Sequence, residues 1–238
     1  MRFDILTLFP EFFKNPLSYS LLGKAIEKKI VDVHLHDIRE SGVGKHKTVD
    51  DRPFGGGPGM VLKPDVLAKS LNSVIKTARG MGVKEKPLVV LLDPAGKRLN
   101  QDKVRLFAKK KWLILICGHY EGVDERFKEV FVDEEVSIGD YVLSGGEVAA
   151  LVVIEGVSRL LPGFLGKSES IQNESFSRLK LAGKEVTLLD YPAYTRPESF
   201  KGKAAPKILL SGNHEQIKKW RLEKAFERTK KRRPDLLR

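Results

Sequence analysis

Short apolar runs separated by amphipathic stretches constrain this chain more than any other feature. Residues 3–8 (Phe-Asp-Ile-Leu-Thr-Leu), 31–38, 88–92 (Leu-Val-Val-Leu-Leu) and 113–117 (Leu-Ile-Leu-Ile-Cys) are the length of strands, too short for free-standing helices. Between them, residues 12–30, 64–78, 102–110 and 148–161 carry apolar side chains at helical spacing. Strands alternating with helices predict an α/β domain built on a mostly parallel sheet.

Glycines punctuate that pattern. Residues 54–60 (Phe-Gly-Gly-Gly-Pro-Gly-Met) are too broken for either element and must be loop. The late apolar runs are each followed or flanked by glycines or by Asp93-Pro94-Ala95-Gly96. Open α/β sheets bind ligands at the carboxyl ends of their strands, so such loops would build one pocket. Several familiar ligand signatures are missing. Residues 54–60 lack the Lys-Ser/Thr of a phosphate-binding loop, no strand leads into Gly-x-Gly-x-x-Gly, and no Gly-x-Ser-x-Gly elbow occurs. The five histidines fall in no metal-ligand spacing.

Charge separates the two ends. The chain carries 43 Lys+Arg against 31 Asp+Glu, a formal +12. Residues 201–238 hold 13 of the bases and only 4 acids, which points to a polyanionic partner met at the C-terminal end. Residues 121–147 hold nine acids and two bases, read as a solvated or interface-forming face. One cysteine, Cys117, excludes an internal disulfide framework and a Cys-based zinc site, and suits a reducing compartment. No apolar stretch approaches the roughly 18 residues that span a bilayer, and the acid at Asp4 is unlike a signal peptide. A cytoplasmic protein with no membrane contact is expected.

Residues 166–185 are polar and nearly free of β-branched side chains, the composition of a linker, and the domain boundary is placed there. The expected organisation is a catalytic domain over 1–162, a flexible linker over 163–175 and a basic, mostly helical domain over 176–238. In the last, Asn213 caps a helix with Gln216 three residues on.

Four strings resemble one family in order along the chain. They are Thr48-Val-Asp-Asp-Arg-Pro-Phe-Gly-Gly-Gly-Pro-Gly-Met60, Cys117-Gly-His-Tyr-Glu-Gly-Val-Asp-Glu-Arg126, Ser137-Ile-Gly-Asp-Tyr-Val-Leu-Ser-Gly-Gly-Glu147, and Leu210-Ser-Gly-Asn-His214 with Trp220-Arg221. They look like the bacterial tRNA (guanine-N1)-methyltransferases that act at tRNA position 37, the TrmD family. The resemblance implies a fold that periodicity does not: a parallel α/β sheet with a C-terminal trefoil knot, the SPOUT class, followed by a small mostly helical domain. It also implies an obligate homodimer with its active site between subunits, S-adenosylmethionine as cofactor and tRNA as partner. Carried onto this sequence, the cofactor residues are Leu91, Leu92, Asp93, Pro94, Gly118, Tyr120, Glu121, Gly122, Ile138, Gly139, Asp140, Tyr141, Val142, Leu143, Gly145 and Gly146.

Guanine N1 carries a proton and is a poor nucleophile, so a base must remove that proton while charge flows onto O6. The resemblance assigns the O6 cation to Arg159 of Val157-Ser158-Arg159. It assigns the base to the acid before Ser-Phe, usually Asp in the family and here Glu174. Arg159 also reads as a charge complementing a helix end, and Glu174 as a linker acid. Asp50, Arg52 and Gly59 are expected to shape the site of the target base, Asp50 with an Asx turn as its alternative, and His214 and Arg221 to meet tRNA. Magnesium dependence is implied as well, with Glu121 and Asp124 as acids that could attract the ion, although no spacing demands it. Two other readings stay open: a related knotted RNA methyltransferase with another target, and a basic RNA-binding protein without catalysis.

Overall fold

The computed structural model describes residues 1–165, 174–181 and 183–237. The chain forms two compact units, Met1–Gly166 and Lys167–Arg238.

In the first unit the elements run β1 (Arg2–Thr7), α1 (Lys14–Ser18), α2 (Ser20–Glu27), β2 (Asp32–Asp37), β3 (Asp50–Asp51), β4 (Val61–Leu62), α3 (Pro64–Gly80), β5 (Leu88–Arg98), α4 (Gln101–Ala108), β6 (Trp112–Cys117), α5 (Glu125–Phe131), β7 (Glu134–Ser137) and α6 (Glu147–Ser158). The main sheet has five strands in the order β2-β1-β6-β5-β7, and every pairing in it is parallel. Alternation sends successive side chains to opposite faces. Phe3, Ile5, Leu113 and Leu115 therefore meet Val104 and Phe107 of α4 and Val153, Ile154 and Val157 of α6. On the other face Leu6, Ile114, Ile116 and Leu91 pack on Val66, Leu67 and Leu71 of α3 and Phe127 of α5. A parallel sheet covered on both faces needs continuous apolar strands, and β6 is buried at every position.

One charge sits in that core. Asp4 of β1 is fully buried and takes hydrogen bonds from Arg2 Nε and Nη2 at 2.6 and 2.9 Å and from Trp112 Nε1 at 2.7 Å. His36 Nε2 lies at 2.7 Å from the same carboxylate, so β1, β2 and β6 are joined by one acid. Burial works against ionised Asp4, but His36, Arg2 and Trp112 together outweigh it and hold the pKa below its usual value.

The structure differs from the sequence reading in four places. The expected helix over 12–30 is broken into a 3-10 turn (Pro10–Phe13), α1 and α2, with Ser20, the first residue of α2, at φ +61°. Strand β5 does not end at Leu92 but resumes after an excursion, because Leu92 and Lys97 both pair with Val136. Pro94 has no N–H to give a ladder, and a Cβ on Gly96 would lie 2.4 Å from Val136 N, so the chain leaves and re-enters tightly. Helix α5 and strand β7 went unread because their acids mask the apolar signal. Several of those acids are structural rather than solvated: Asp124 caps α5, Asp133 accepts from Val89 N at 2.8 Å, Glu134 pairs with Lys103, and Glu135 lies 3.3 Å from Lys128.

The fourth difference is in the second unit. Within the stretch of linker-like composition, residues 177–181 and 184–185 belong to the antiparallel pair β8 (Ser177–Leu181) and β9 (Lys184–Leu188), so the unit holds strands as well as helices. Alternation was present there in Leu179, Val186 and the buried Leu188, and polar neighbours obscured it. A second small pair, β10 (Ser199–Phe200) and β11 (Lys203–Ala204), precedes α7 (Lys207–Leu210) and α8 (His214–Arg232). The Asn213 side chain accepts from Gln216 N at 3.1 Å, the cap read from the sequence. Thr229 Oγ1 of α8 accepts from Leu189 N at 2.8 Å and donates to Ala225 O at 2.7 Å, fastening the helix to the end of β9. Among the described residues, no helix is long and apolar enough to cross a membrane.

Replacing Asp4 by Asn removes the charge that Arg2 and His36 face, and is expected to lower stability by about 2 kcal/mol at neutral pH, measured by urea denaturation. Because the folded pKa of Asp4 is depressed, its contribution is complete above the ordinary carboxylate range, near pH 4, and is lost as pH falls through the depressed value. The gap between wild type and Asp4→Asn should therefore narrow in acid.

Candidate functional site

The excursion in β5 and the loops at the carboxyl ends of β6 and β7 come to one place. Residues 92–94, 118–122, 136–139 and 141–146 line a cavity of about 270 Å³, together with Ala149 of α6. The loops interlock through backbone. Gly146 N donates to Gly118 O at 2.9 Å, and His119 bridges Gly145. A Cβ on Gly146 would lie 2.7 Å from Cys117 Cα, so only glycine permits this approach. Tyr120, between them, is held at φ +59°, an unusual conformation for a side chain of its size.

Side chains brace the same loops from beneath. Glu147, at the start of α6 and only 6% exposed, accepts from Thr7 Oγ1 at 2.7 Å, and Thr7 Oγ1 in turn accepts from Phe9 N at 2.9 Å. The carboxyl end of β1 is thereby tied to the N-terminus of α6, where a negative charge is favoured. Lys128 of α5 reaches Asp93 at 3.2 Å and Glu135 at 3.3 Å. Burial disfavours its ammonium, but Asp93 and Glu135 outweigh that and raise its pKa. Cys117 beside the cavity is inert as a nucleophile, since burial, reinforced by Glu147, pushes its thiol far up.

Of the residues expected to hold a cofactor, all but Leu91 and Asp140 line this cavity. Leu91 lies on the opposite face of β5, buried against the α3 side, as its alternation with Leu92 requires. The Asp140 side chain pairs with Arg98. The cavity also includes His119 and Ser144, which the sequence reading passed over. His119 sits between the rings of Phe9 and Tyr120, at 5.2 and 5.1 Å, and its buried Nδ1 has no hydrogen-bond partner among the described residues. Its place inside Gly118-His-Tyr-Glu-Gly122 was the available signal.

The Gly-rich segment reaches the rim. Glu121 N donates to Met60 O at 2.9 Å and Leu62 N to Gly122 O at 3.0 Å. Gly59, at φ +84°, packs so closely that a Cβ would lie 2.3 Å from Glu121 Cγ. Asp50 stands in β3 opposite Leu62, and Arg52 is exposed beyond it. Arg159 forms the C-cap of α6, its N–H donating to Glu155 O at 3.0 Å.

In the second unit, Glu174, His214 and Arg221 line a separate cavity of about 690 Å³ walled by Leu179, Leu188 and Ile217. The Arg221 guanidinium lies 4.8 Å from the centre of the Tyr191 ring, a cation–π contact at the cavity wall. The two residues assigned to catalysis thus belong to different units.

Among the described residues, no three His, Cys, Asp or Glu side chains converge as metal ligands. Asp124 is engaged by Arg126, with contacts at 2.9 and 2.7 Å that depress its pKa. The first cavity instead suits an organic ligand: apolar at Leu92, Val136, Ile138 and Ala149, backbone-polar along its glycine loops, and acidic at Asp93 and Glu121. Thr7→Val leaves the Glu147 carboxylate buried without its donor and should cost about 1–3 kcal/mol in urea denaturation, while Thr7→Ser should be nearly neutral.

Comparison with known proteins agrees with the motifs. The family model described as tRNA (Guanine-1)-methyltransferase TrmD matches residues 1–238. A protein of Endomicrobium trichonymphae named tRNA (guanine-N(1)-)-methyltransferase is 48% identical, over 100% of this chain and 99% of its own length. Proteins of the same name are 50% identical in Brevibacillus brevis, over 100% of this chain and 91% of theirs, and 46% identical in Clostridioides difficile, over 99% and 97%. From its first motif to its last, this chain belongs to the TrmD family of tRNA (guanine-1)-methyltransferases.

Proposed function

We propose that this member of the family transfers the methyl group of S-adenosylmethionine to N1 of guanine 37 of tRNA, beside the anticodon. The observation that carries the reading is the convergence of the β5 excursion with the two glycine-bearing loops that follow β6 and β7 on one cavity. Leu92, Val136, Ile138 and Ala149 offer apolar surface to an adenine, the loop backbones offer hydrogen bonds, and Asp93 and Glu121 complement positive charge. When bound, the cofactor supplies an electrophilic methyl group on a sulfonium sulfur.

The chain's own residues must make guanine N1 nucleophilic. Glu174 takes the N1 proton onto its carboxylate while the Arg159 guanidinium stabilises the charge that develops on O6. Glu keeps the carboxylate of the family's usual Asp with one more methylene, which a shift of the backbone by about one bond accommodates. The basic C-terminal segment, residues 201–238, holds tRNA through its phosphates, with His214 and Arg221 among the contacts. Asp50, Arg52 and Gly59 frame the target base.

The same reading has residues 1–162 knotted as in the SPOUT class, joined by a linker over 163–175 to residues 176–238, in a cytoplasmic homodimer with the active site between subunits. The interlock of residues 117–119 with 145–146 suits a threaded chain. Dimerisation is supported by α6, whose residues between Glu147 and Glu155 are all apolar yet which leaves Val148 and Val152, one turn apart, 45% and 42% exposed. Phe9 and Phe12 are exposed as well, beside and within the 3-10 turn that packs on α6.

A methyl-transfer assay on transcripts with and without guanine at position 37 tests the activity, and transfer independent of that guanine would overturn it. Glu174→Gln should lower the single-turnover rate by roughly 10²–10⁴ with both substrates still bound, and Glu174→Asp should retain most of it. Arg159→Lys should also be strongly impaired, because an ammonium cannot reproduce the planar fork. Joint replacement of Val148 and Val152 by Glu should yield a folded monomer by sedimentation, without methyl transfer.

A further inference from the structure

The catalytic unit carries a second feature suited to RNA. Residues 43–63 form two consecutive hairpins, Val43–Thr48 and Val49–Lys63. In the first, Val43 and Thr48 exchange backbone hydrogen bonds at 2.9 and 3.0 Å, and the turn between them exposes Lys45, His46 and Lys47. In the second, β3 pairs with β4, and the tip exposes Arg52 and Phe54. Lys45, Lys47 and Arg52 have no ion-pair partner among the described residues.

Phe54 is 93% exposed, more than any other large apolar side chain described. Leaving a phenylalanine in water forgoes roughly 2 kcal/mol of burial, a cost expected where the ring has a partner. Gly55, Gly56 and Gly57 follow at φ +87°, +79° and +113°, and a Cβ on any of them would meet nothing within 4 Å. The tip is thus pliant and packs on nothing, while the base of the same hairpin is fastened to the cavity rim by Met60, Leu62 and Gly59. Phe54 and Gly59 are five positions apart, a reach of at most about 18 Å. A single aromatic ring among unpaired cations matches a nucleobase flanked by phosphates better than it matches an apolar protein face.

We propose that residues 43–63 form an RNA-gripping arm of the catalytic unit, in which Lys45, Lys47 and Arg52 meet phosphates and Phe54 stacks on a base next to the target guanine. The proposal rests on the tRNA reading above. Stacking by Phe54 would hold the neighbouring nucleotide while the guanine leaves its own stack, so it acts on the reactive complex more than on encounter.

The test uses the full-length protein and an unmodified tRNA transcript with guanine at position 37. The double variant Lys45→Gln/Lys47→Gln should reduce the slope of log affinity on log salt by roughly 1–2. Phe54→Leu, which keeps apolar bulk without a π face, should slow single-turnover methyl transfer about tenfold or more, and Phe54→Tyr should restore it. An unchanged salt slope together with an unchanged Phe54→Leu rate overturns the arm, as does a shift of Phe54→Leu to a smaller mass in sedimentation, which would make the ring a protein contact. If wild type itself fails to methylate the transcript, the functional reading falls. The arm is then decided by the salt slope for the same RNA.

Discussion

Where the amide of Gly146 meets the carbonyl of Gly118 at 2.9 Å, two segments of chain pass closer than side chains allow. Everything at the carboxyl edge of the sheet follows from that approach. It fixes the start of α6, and so the position of Glu147, whose carboxylate then reaches back to Thr7 at the end of β1. It holds the loop of Tyr120 and Glu121 upright at the end of β6, and Glu121 and Gly122 anchor the base of the Gly-rich hairpin. The cavity is therefore not a gap left between helices. It is enclosed by backbone whose hydrogen bonds are already committed, a rigid frame of the kind that positions a small ligand with little reorganisation.

Sheet and cavity differ in how they are written in the sequence. Strands such as 113–117 are legible because a doubly covered parallel strand must be apolar at each position. The acids of β7 hide it, since the charge on Glu134 is neutralised by Lys103, 31 residues away in sequence, and that on Glu135 by Lys128 of the preceding helix. The same holds for β8 and β9, where pairing across Gly183 outweighs a linker-like composition. The cavity loops were legible through their glycines, while His119 was missed because a lone histidine has no periodic signature. Glu147 had no signal beyond its motif, as its partner Thr7 lies 140 residues away.

The electrostatic design separates two tasks. Some acids in residues 121–147 brace helices and loops, as Asp124 and Glu147 do, while Glu121, Glu125 and Glu129 stay exposed. The bases of residues 201–238 outnumber their acids, which engage Lys224 and Arg233 through Glu227 and Asp235. A net charge of +12 thus understates how uneven the surface is.

The excursion in β5 has a consequence for how the cavity can adapt. Leu92 leaves the ladder and Lys97 rejoins it against one and the same residue, Val136, with Gly96 pressed onto that strand. The wall made by Asp93 and Pro94 is therefore a closed loop of fixed span, braced from behind by Lys128. Residues 141–143 are held differently, with Tyr141, Val142 and Leu143 all turned substantially to solvent. Ligands of different length would be accommodated from that side alone. The cavity works as a vice with one fixed jaw.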